Sequence, residues 1–183
     1  MNAVSSTKKI CICAVCIALC YALPLGFHAL ALGMAFSPIH IPVLLCGLVC
    51  GPFYGTVCGI AGPIVSSLLS GMPPAPQLVS MIPELLVYGL VCGILIQVIH
   101  TRRFYLDVYG SMIPAMLLGR IVGGIAKAIF YLYTAKTYSV ALWATAYFAD
   151  TLPGTILQLL LIPTLLFVLM KAKLIPQRKR KEA

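Results

Sequence analysis

Two cationic side chains, Arg120 and Lys127, lie within residues 113–133, one apolar stretch that is long enough to cross a bilayer. A charge at bilayer depth costs several kcal/mol unless it faces protein, water or a bound partner. The two cations are seven residues apart, about two helical turns, and therefore project from the same face of a helix. We predict that this face meets either internal carboxylates or a polar cavity that receives a solute.

Two acidic residues within other apolar stretches, Glu84 and Asp150, could balance these cations. In one interpretation the four charges pair only with each other and lock the helices together, as ions inside membranes commonly do. In the other, Arg120 and Lys127 bind an anionic group of a solute, since a guanidinium favours a carboxylate or a phosphate. Glu84 or Asp150 would then accept hydrogen bonds from the same solute. The residues alone leave both interpretations open.

Two further polar residues, His40 and Gln158, complete the candidate substrate site. His40 lies at the start of the second apolar stretch, where a histidine serves equally well as a helix-end hydrogen-bonding group or as a ligand contact. Gln158 lies in the last stretch, which also carries Pro153 and Pro163. Polar and helix-breaking residues are tolerated where a membrane helix faces protein or a cavity. We therefore expect the last helix to face the interior.

The composition indicates an integral membrane protein. Of the 183 residues, 61% are hydrophobic and only 9% are charged, whereas about a quarter are charged in soluble domains. Apolar stretches recur to the end of the chain, which argues against a cleaved signal peptide. The net charge of +9 resides in short clusters that flank apolar stretches. This arrangement is typical of membrane topology and of contact with a lipid bilayer, and not of nucleic-acid binding.

Six apolar stretches predict an all-α fold, a bundle of six transmembrane helices in a single domain of residues 1–183. The expected spans are residues 10–26, 38–50, 55–70, 78–100, 113–133 and 142–170. Residues 71–77, GMPPAPQ, are expected to form a stiff loop, because proline biases its neighbours towards extended conformations. Asp107 is expected in the connection before the fifth span.

The basic residues near the span ends are unevenly distributed between the two sides of the predicted bundle. The side with both termini receives Lys8, Lys9, Arg102, Arg103 and the six cations from Lys171 onward, and the opposite side receives only Lys136. The positive-inside rule therefore predicts that both termini are cytoplasmic. At about 1.5 Å of rise per residue, the ionisable candidates and His40 then fall in the outward half of the bundle, where an external solute arrives. Gln158 lies deeper.

Small residues recur at four-residue spacing in two places. Gly47, Gly51, Gly55 and Gly59 predict close contact between the second and third helices. Ala14, Ala18 and Ala22 predict a smooth strip on the first helix, which either packs within the bundle or contacts a separate subunit.

Pro63 is expected to kink the third span, and Ser66 or Ser67 to bond to the carbonyl that this proline frees. All eight cysteines fall in apolar stretches, where a free thiol behaves as a small hydrophobic group. The pair Cys13 and Cys16 has no second pair and no histidine at zinc-finger spacing, so we predict no metal and no cofactor.

In length, span number and motifs the chain resembles the S components, the membrane-embedded substrate-binding subunits of energy-coupling factor (ECF) transporters. The resemblance rests on the Ala14–Ala18 strip and on the block PIHIPVLLCGLVCGPFYGTVCGIAGPIVSSLLSGMPP, residues 38–74. The stretches PELLVYGLVCG from Pro83 and LPGTILQLLLIP from Leu152 are similar too. Together these stretches make the resemblance extend over essentially the whole chain.

The resemblance implies a protein of the bacterial plasma membrane that captures a vitamin or related micronutrient outside the cell. It also implies a transmembrane coupling subunit, which Ala14 and Ala18 would contact, and two cytoplasmic ATPase subunits that drive uptake. The chain agrees in having no G-x-x-x-x-G-K-[ST] motif, so that ATP hydrolysis must come from a partner. Arg120 and Lys127 favour an acidic vitamin such as pantothenate.

The alternative is a stand-alone secondary transporter or channel in which the buried charges relay protons. Uptake by the chain alone, driven by an ion gradient, would indicate this alternative. An enzyme is not expected, because the chain has no H-E-x-x-H, no G-x-S-x-G and no paired-aspartate motif.

Overall fold

The computed structural model describes residues 5–29, 38–99, 101, 103–134, 139, 143, 145, 151–172 and 174. In these residues the chain forms helices and no strand, so the predicted all-α fold is confirmed for the described ranges. The helices are α1 (Ser6–Ala29), α2 (His40–Cys50), α3 (Pro52–Ser70), α4 (Ala75–Val98), α5 (Phe104–Tyr133) and α6 (Leu152–Lys171).

Five of these helices, all except α2, are long and apolar enough to cross a membrane, with spans of 19 to 30 residues. α2 has only 11 residues, a rise of about 16 Å, or roughly half of the hydrocarbon core of a bilayer. The architecture is therefore that of a helical membrane protein. Six complete spans and cytoplasmic termini stay predictions.

Two helices begin earlier than the sequence pattern predicts. α4 begins at Ala75, so that the proline-rich loop is residues 71–74 and not residues 71–77. The first turn of a helix tolerates proline because its N–H groups have no intrahelical partner. α5 begins at Phe104, nine residues before the predicted span, and Asp107 lies in its first turn and not in the preceding connection. The predicted start of the sixth span, before residue 151, lies largely outside the described residues.

Asp107 connects the start of α5 to the preceding Thr101 by hydrogen bonds. Its carboxylate accepts hydrogen bonds from the backbone N–H of Thr101 at 2.7 Å and from the Thr101 hydroxyl at 2.6 Å. A carboxylate in the first turn also interacts favourably with the helix dipole. Asp107 is thus a structural residue of the α4–α5 connection.

The short helix α2 occupies the centre of the bundle. It packs against α1, α3, α4 and α6, and eight of its 11 residues are buried. Because a membrane helix gains little by hiding apolar side chains from apolar lipid, this central position depends on close packing. This position also sets where the predicted substrate-site residue His40 lies, because α2 begins at His40.

Glycines bring the backbones of α2, α3 and α4 together. A Cβ atom added at Gly55 would lie 2.6 Å from the carbonyl oxygen of Gly89 and 2.8 Å from the Cα atom of Gly47. The predicted contact between α2 and α3 is confirmed, and the same glycines also admit α4. Any side chain at this point would force the three helices apart.

Hydroxyl groups satisfy backbone carbonyls in a way that differs from the prediction. Ser66 donates to the carbonyl of Met72 at 2.7 Å and Ser67 donates to the carbonyl of Pro73 at 2.9 Å. These serines therefore fasten the 71–74 loop to the end of α3, and the predicted bond to the carbonyl that Pro63 frees was wrong. Pro163 has no N–H to bond to the carbonyl of Leu159, four residues earlier in α6. That carbonyl instead accepts a hydrogen bond from the hydroxyl of Tyr109 on α5 at 3.1 Å.

The cysteines pack as small apolar residues. All eight are free thiols, seven of them are buried, and Cys11 is exposed. The thiols of Cys13 and Cys46 both donate to the carbonyl of Tyr54, at 3.6 Å and 3.4 Å, which ties α1 and α2 to α3. Among the described residues no group of three or more potential ligand side chains is arranged to hold a metal ion.

Candidate functional site

A carboxylate, a phenol and an imidazole meet where α2 begins beside α4. Glu84 and Tyr88 are four residues apart and share one face of α4. The Tyr88 hydroxyl donates to Glu84 Oε1 at 3.0 Å, and His40 Nε2 lies 3.5 Å from the same oxygen. Glu84 is 7% exposed and His40 is 8% exposed. A buried carboxylate needs such donors, because its desolvation is otherwise uncompensated.

Glycines on α5 provide the space for this group. A Cβ atom at Gly119 would overlap the ring of Tyr88, and one at Gly123 would lie 2.9 Å from Glu84 Cβ and 3.1 Å from Glu84 Oε2. Gly119 and Gly123 are one turn apart, just as Tyr88 and Glu84 are on the antiparallel helix. These glycines are not among the residues predicted from the sequence to form the site. Their signal is the small-residue spacing Gly119-x-x-x-Gly123 beside a buried cation.

The guanidinium of Arg120 reaches from α5 to the first turn of α6. Its Nη2 atom donates to the hydroxyl of Thr151 at 3.2 Å and to the hydroxyl of Thr155. The Thr155 hydroxyl in turn donates to the Thr151 carbonyl at 2.9 Å. Arg120 is only 9% exposed. The two threonines hold the plane of a buried cation in a defined orientation.

Trp143 packs against the backbone of α5 at Arg120 and Gly124. Its indole N–H donates to the carbonyl oxygen of Arg120 at 3.3 Å. The indole fills the space above Gly124, where a Cβ atom would overlap it. Trp143 is the only tryptophan in the chain. It is therefore a natural spectroscopic probe of this site.

Tyr88 joins the carboxylate and the guanidinium into one site. Its hydroxyl donates to Glu84 Oε1, and Arg120 lies close enough to interact with it electrostatically. The phenol thus stands between an acceptor group, Glu84 with His40, and a donor group, Arg120 with its threonines. Such an arrangement can hold a polar solute by hydrogen bonds at two chemically different ends.

The structure brings together three of the six predicted substrate-binding residues, namely Arg120, Glu84 and His40. Gln158 is 3% exposed and lies on the face of α6 that carries Thr151 and Thr155, one turn below Thr155. Lys127 is half-buried on α5, about two turns from Arg120. Asp150 lies outside the described residues.

Four residues that lie at this site were not predicted from the sequence: Tyr88, Trp143, Thr151 and Thr155. The spacing of Thr151, Thr155 and Gln158 at i, i+4 and i+7 is a detectable polar stripe on an apolar helix. Tyr88 shares a helix face with Glu84 by the same rule. Trp143 has no comparable signal, because its partner is a backbone carbonyl on another element.

The alanine strip lies on the outer face of α1. Ala14, Ala18 and Ala22 are exposed, whereas Cys13 and Cys16 turn towards the bundle. Of the two possibilities raised by the spacing, packing inside the bundle is therefore excluded. α1 is also the least enclosed of the five spanning helices, with 17% of its apolar window buried against 28–39% for the others.

Comparison with known proteins places this architecture in a family. No curated protein and no solved structure has a significant match to the chain. One family model, described as ECF transporter, substrate-specific component, matches residues 8–169. The match covers nearly all of the residues from α1 to α6 and confirms the resemblance found in the sequence. The chain belongs to the family of substrate-specific components of ECF transporters.

Proposed function

We propose that this chain captures a vitamin or related micronutrient on the outer side of a bacterial plasma membrane, in the site formed by Arg120, Tyr88, Glu84 and His40. The observation that carries the proposal is a buried guanidinium and a buried carboxylate that both interact with one phenol, inside a largely apolar bundle. Ionisable groups at membrane depth are costly and mark solute or ion pathways. Gln158 extends the same polar face along α6, and Lys127 and Asp150 are the remaining candidates for solute contact.

The position of the site along the helices supports access from one end of the bundle. His40 begins α2, and Thr151 immediately precedes α6. Glu84 is the tenth residue of α4, about 14 Å along that helix. With both termini in the cytoplasm, as the basic residues predict, these helix starts lie on the outer side. Solute would then enter beside the 71–74 loop.

The exposed alanine strip supports docking to a transmembrane coupling subunit. A surface of small residues lets two helix backbones approach closely, and van der Waals contact drives such association in lipid. Ala14 and Ala18 lie on the exposed face of the least enclosed helix. We propose that the coupling subunit binds here and that two cytoplasmic ATPase subunits supply the energy for uptake.

Reconstitution into proteoliposomes tests the proposal. The chain is incorporated either alone or with a coupling subunit and two ATPase subunits, and uptake of a panel of radiolabelled vitamins is measured. We expect binding by the chain alone and uptake only with the partner subunits and ATP. Concentrative uptake by the chain alone, driven by a proton or sodium gradient, would identify a secondary transporter and contradict the proposal.

A further inference from the structure

We infer that Cys20 is a positioning residue of the solute site. From α1, the proposed docking helix, it holds the start of α2 in place and thereby sets where His40 meets Glu84. The inference rests on the proposed function and adds a residue that itself touches no solute. Three observations carry it: the close contacts of Cys20, their position at the start of α2, and the place of Cys20 opposite the alanine strip.

Cys20 is enclosed where α1 meets α2 and α3. Its side chain is 0% exposed, and its thiol donates to the carbonyl oxygen of Ile39 at 3.7 Å. On the side of α3, a Cβ atom added at Gly62 would lie 2.7 Å from Cys20 Sγ and 3.1 Å from Cys20 Cβ. The thiol also interacts with that of Cys58 on α3. Because a thiol is a weak donor, close packing of this small side chain contributes most to the contact.

The contact of Cys20 with α2 is next to the solute site. Ile39 immediately precedes α2, and His40 is the first residue of that helix. The carbonyl that Cys20 contacts therefore belongs to the peptide bond that leads into His40. His40 Nε2 lies 3.5 Å from Glu84 Oε1, and the centroids of the His40 and Tyr88 rings are 5.3 Å apart. A displacement of Cys20 consequently changes where the imidazole meets the carboxylate.

A second thiol contact between α1 and α2 is remote from the site. The thiol of Cys50, at the end of α2, donates to the carbonyl of Lys9 on α1 at 3.8 Å. Cys50 is ten residues from His40, about 15 Å along the helix. α1 packs mainly against α2 and α3, whereas Glu84 lies on α4. Of the two contacts, only that of Cys20 can therefore transmit the position of α1 to His40 directly.

Cys20 lies on the face of α1 opposite the alanine strip. Ala18 and Ala22 are each two residues from Cys20, which is about 200° around a helix. Both alanines are exposed, and Cys20 is buried. Substitution of the exposed side chains leaves Cys20 in place, whereas displacement of the whole helix moves it. The helix that would contact the coupling subunit therefore also sets the geometry of the solute site.

The histidine resonances of the purified full chain test the inference without a solute. The chain has three histidines, so isotopic labelling of histidine gives a simple NMR spectrum, in which the signal lost in His40→Gln identifies His40. We expect Cys20→Ala to shift the imidazole resonances of His40, because the start of α2 loses its contact with α1. Cys20→Ser should keep them close to those of the wild type, since a hydroxyl donates to the same carbonyl.

Cys50→Ala is the matched control. It removes a buried thiol that bonds to a carbonyl across the same two helices, at the other end of α2. Both alanine variants should lower the melting temperature similarly, but only Cys20→Ala should shift the His40 resonances. Gly62→Ala tests the same contact from α3, because its Cβ displaces an intact Cys20. It should shift the His40 resonances as well.

The effect on capture is measured by equilibrium binding to the purified variants. The probes are radiolabelled pantothenate, biotin, riboflavin and thiamin, and the comparison uses whichever of them binds the wild-type chain. We expect its affinity to fall severalfold in Cys20→Ala and to stay at the wild-type level in Cys20→Ser and Cys50→Ala.

The outcomes separate this inference from the proposed function. His40 resonances that stay unchanged in both Cys20→Ala and Gly62→Ala, or that shift equally in Cys50→Ala, would overturn the positioning role and leave the proposed function standing. Unchanged vitamin affinity in a Cys20→Ala variant with shifted resonances would overturn the role of Cys20 in capture. Failure of the chain to bind any vitamin, and of the assembled complex to take one up, would overturn the proposed function and this inference together.

Discussion

At the scale of single residues, the proposed binding site depends most on Arg120. It is buried, it is oriented by two hydroxyls of α6, and it interacts with Tyr88. Two explanations of this residue remain distinct: a contact for solute, or a charge neutralised by an acidic side chain. They differ in what removal of the charge does to binding and to folding.

We expect Arg120→Ala to weaken solute binding tenfold or more while the protein remains folded. Loss of a hydrogen bond from a charged donor is worth about 1.5–3 kcal/mol, and about 1.4 kcal/mol corresponds to one factor of ten in affinity. Calorimetric titration of the purified variant measures the affinity, and the melting temperature in detergent checks the fold. Unchanged affinity would make Arg120 a structural residue.

The double variant Arg120→Gln with Asp150→Asn then shows whether Asp150 is the partner of Arg120, because joint removal of an ion pair costs less stability than removal of one member.

Tyr88 provides a second test at this scale. Tyr88→Phe removes the hydroxyl between Glu84 and Arg120, and we expect the free energy of unfolding to fall by about 1–3 kcal/mol and solute affinity to fall severalfold. Tyr109→Phe is the matched control, because it removes a partly buried hydroxyl bonded to the Leu159 carbonyl. The control should lower stability similarly and leave affinity unchanged. Equal losses of affinity in the two variants would show that Tyr88 acts only through the fold.

At the scale of helices, the bundle depends on glycine contacts that allow three backbones to meet. α2, α3 and α4 approach each other at Gly47, Gly55 and Gly89. This contact fixes where α2 lies and therefore where His40 meets Glu84. Stability of the contact and geometry of the site are consequently linked.

Gly55→Ala should destabilise the protein, because its Cβ would lie 2.6 Å from the carbonyl oxygen of Gly89. Overpacking of this kind costs about 1–3 kcal/mol. Gly26→Ala is the control, since nothing lies within 4 Å of its added Cβ, and alanine is favoured over glycine in a helix by up to about 1 kcal/mol. In the same detergent, the melting temperature should therefore fall for Gly55→Ala and stay unchanged or rise for Gly26→Ala. A Gly55→Ala variant as stable as the wild type would refute the close contact.

At the scale of the whole molecule, the proposed binding site and the proposed coupling surface lie on different parts of the described structure. The polar site is enclosed by α2, α4, α5 and α6, whereas the alanine strip is on the outer face of α1. A protein that hands its solute to a transport complex needs both surfaces. Changes on one should leave the other intact.

Bulky replacement of the strip, Ala14→Phe with Ala18→Phe, should spare solute binding and abolish uptake by the assembled complex, because the coupling helix can no longer approach. Leu160→Phe is the control, since Leu160 is 64% exposed on the outer face of α6. Solute titration and ATP-dependent uptake in proteoliposomes measure the two properties. Full uptake by the alanine variant would remove the docking proposal.

The sequence by itself determined the class of the protein, the approximate position of its helices and the residues with the most costly burial. Arg120, Glu84 and His40 could be recognised because polar groups stand out against apolar stretches, and a bilayer leaves them few places to lie. The first-helix alanines could be recognised by their spacing. These properties are local, so each can be read from a short window of the chain.

The tertiary structure alone decided which faces of the helices meet. In a bilayer the lipid-facing and the interior faces of a helix are both apolar, so hydropathy does not distinguish them as it does in water. The outward position of the alanine strip, the pairing of His40 with Glu84 and the partners of Arg120 on α6 therefore came only from packing. The backbone contacts at glycines set that packing, because they determine how closely and at what register each helix passes its neighbour.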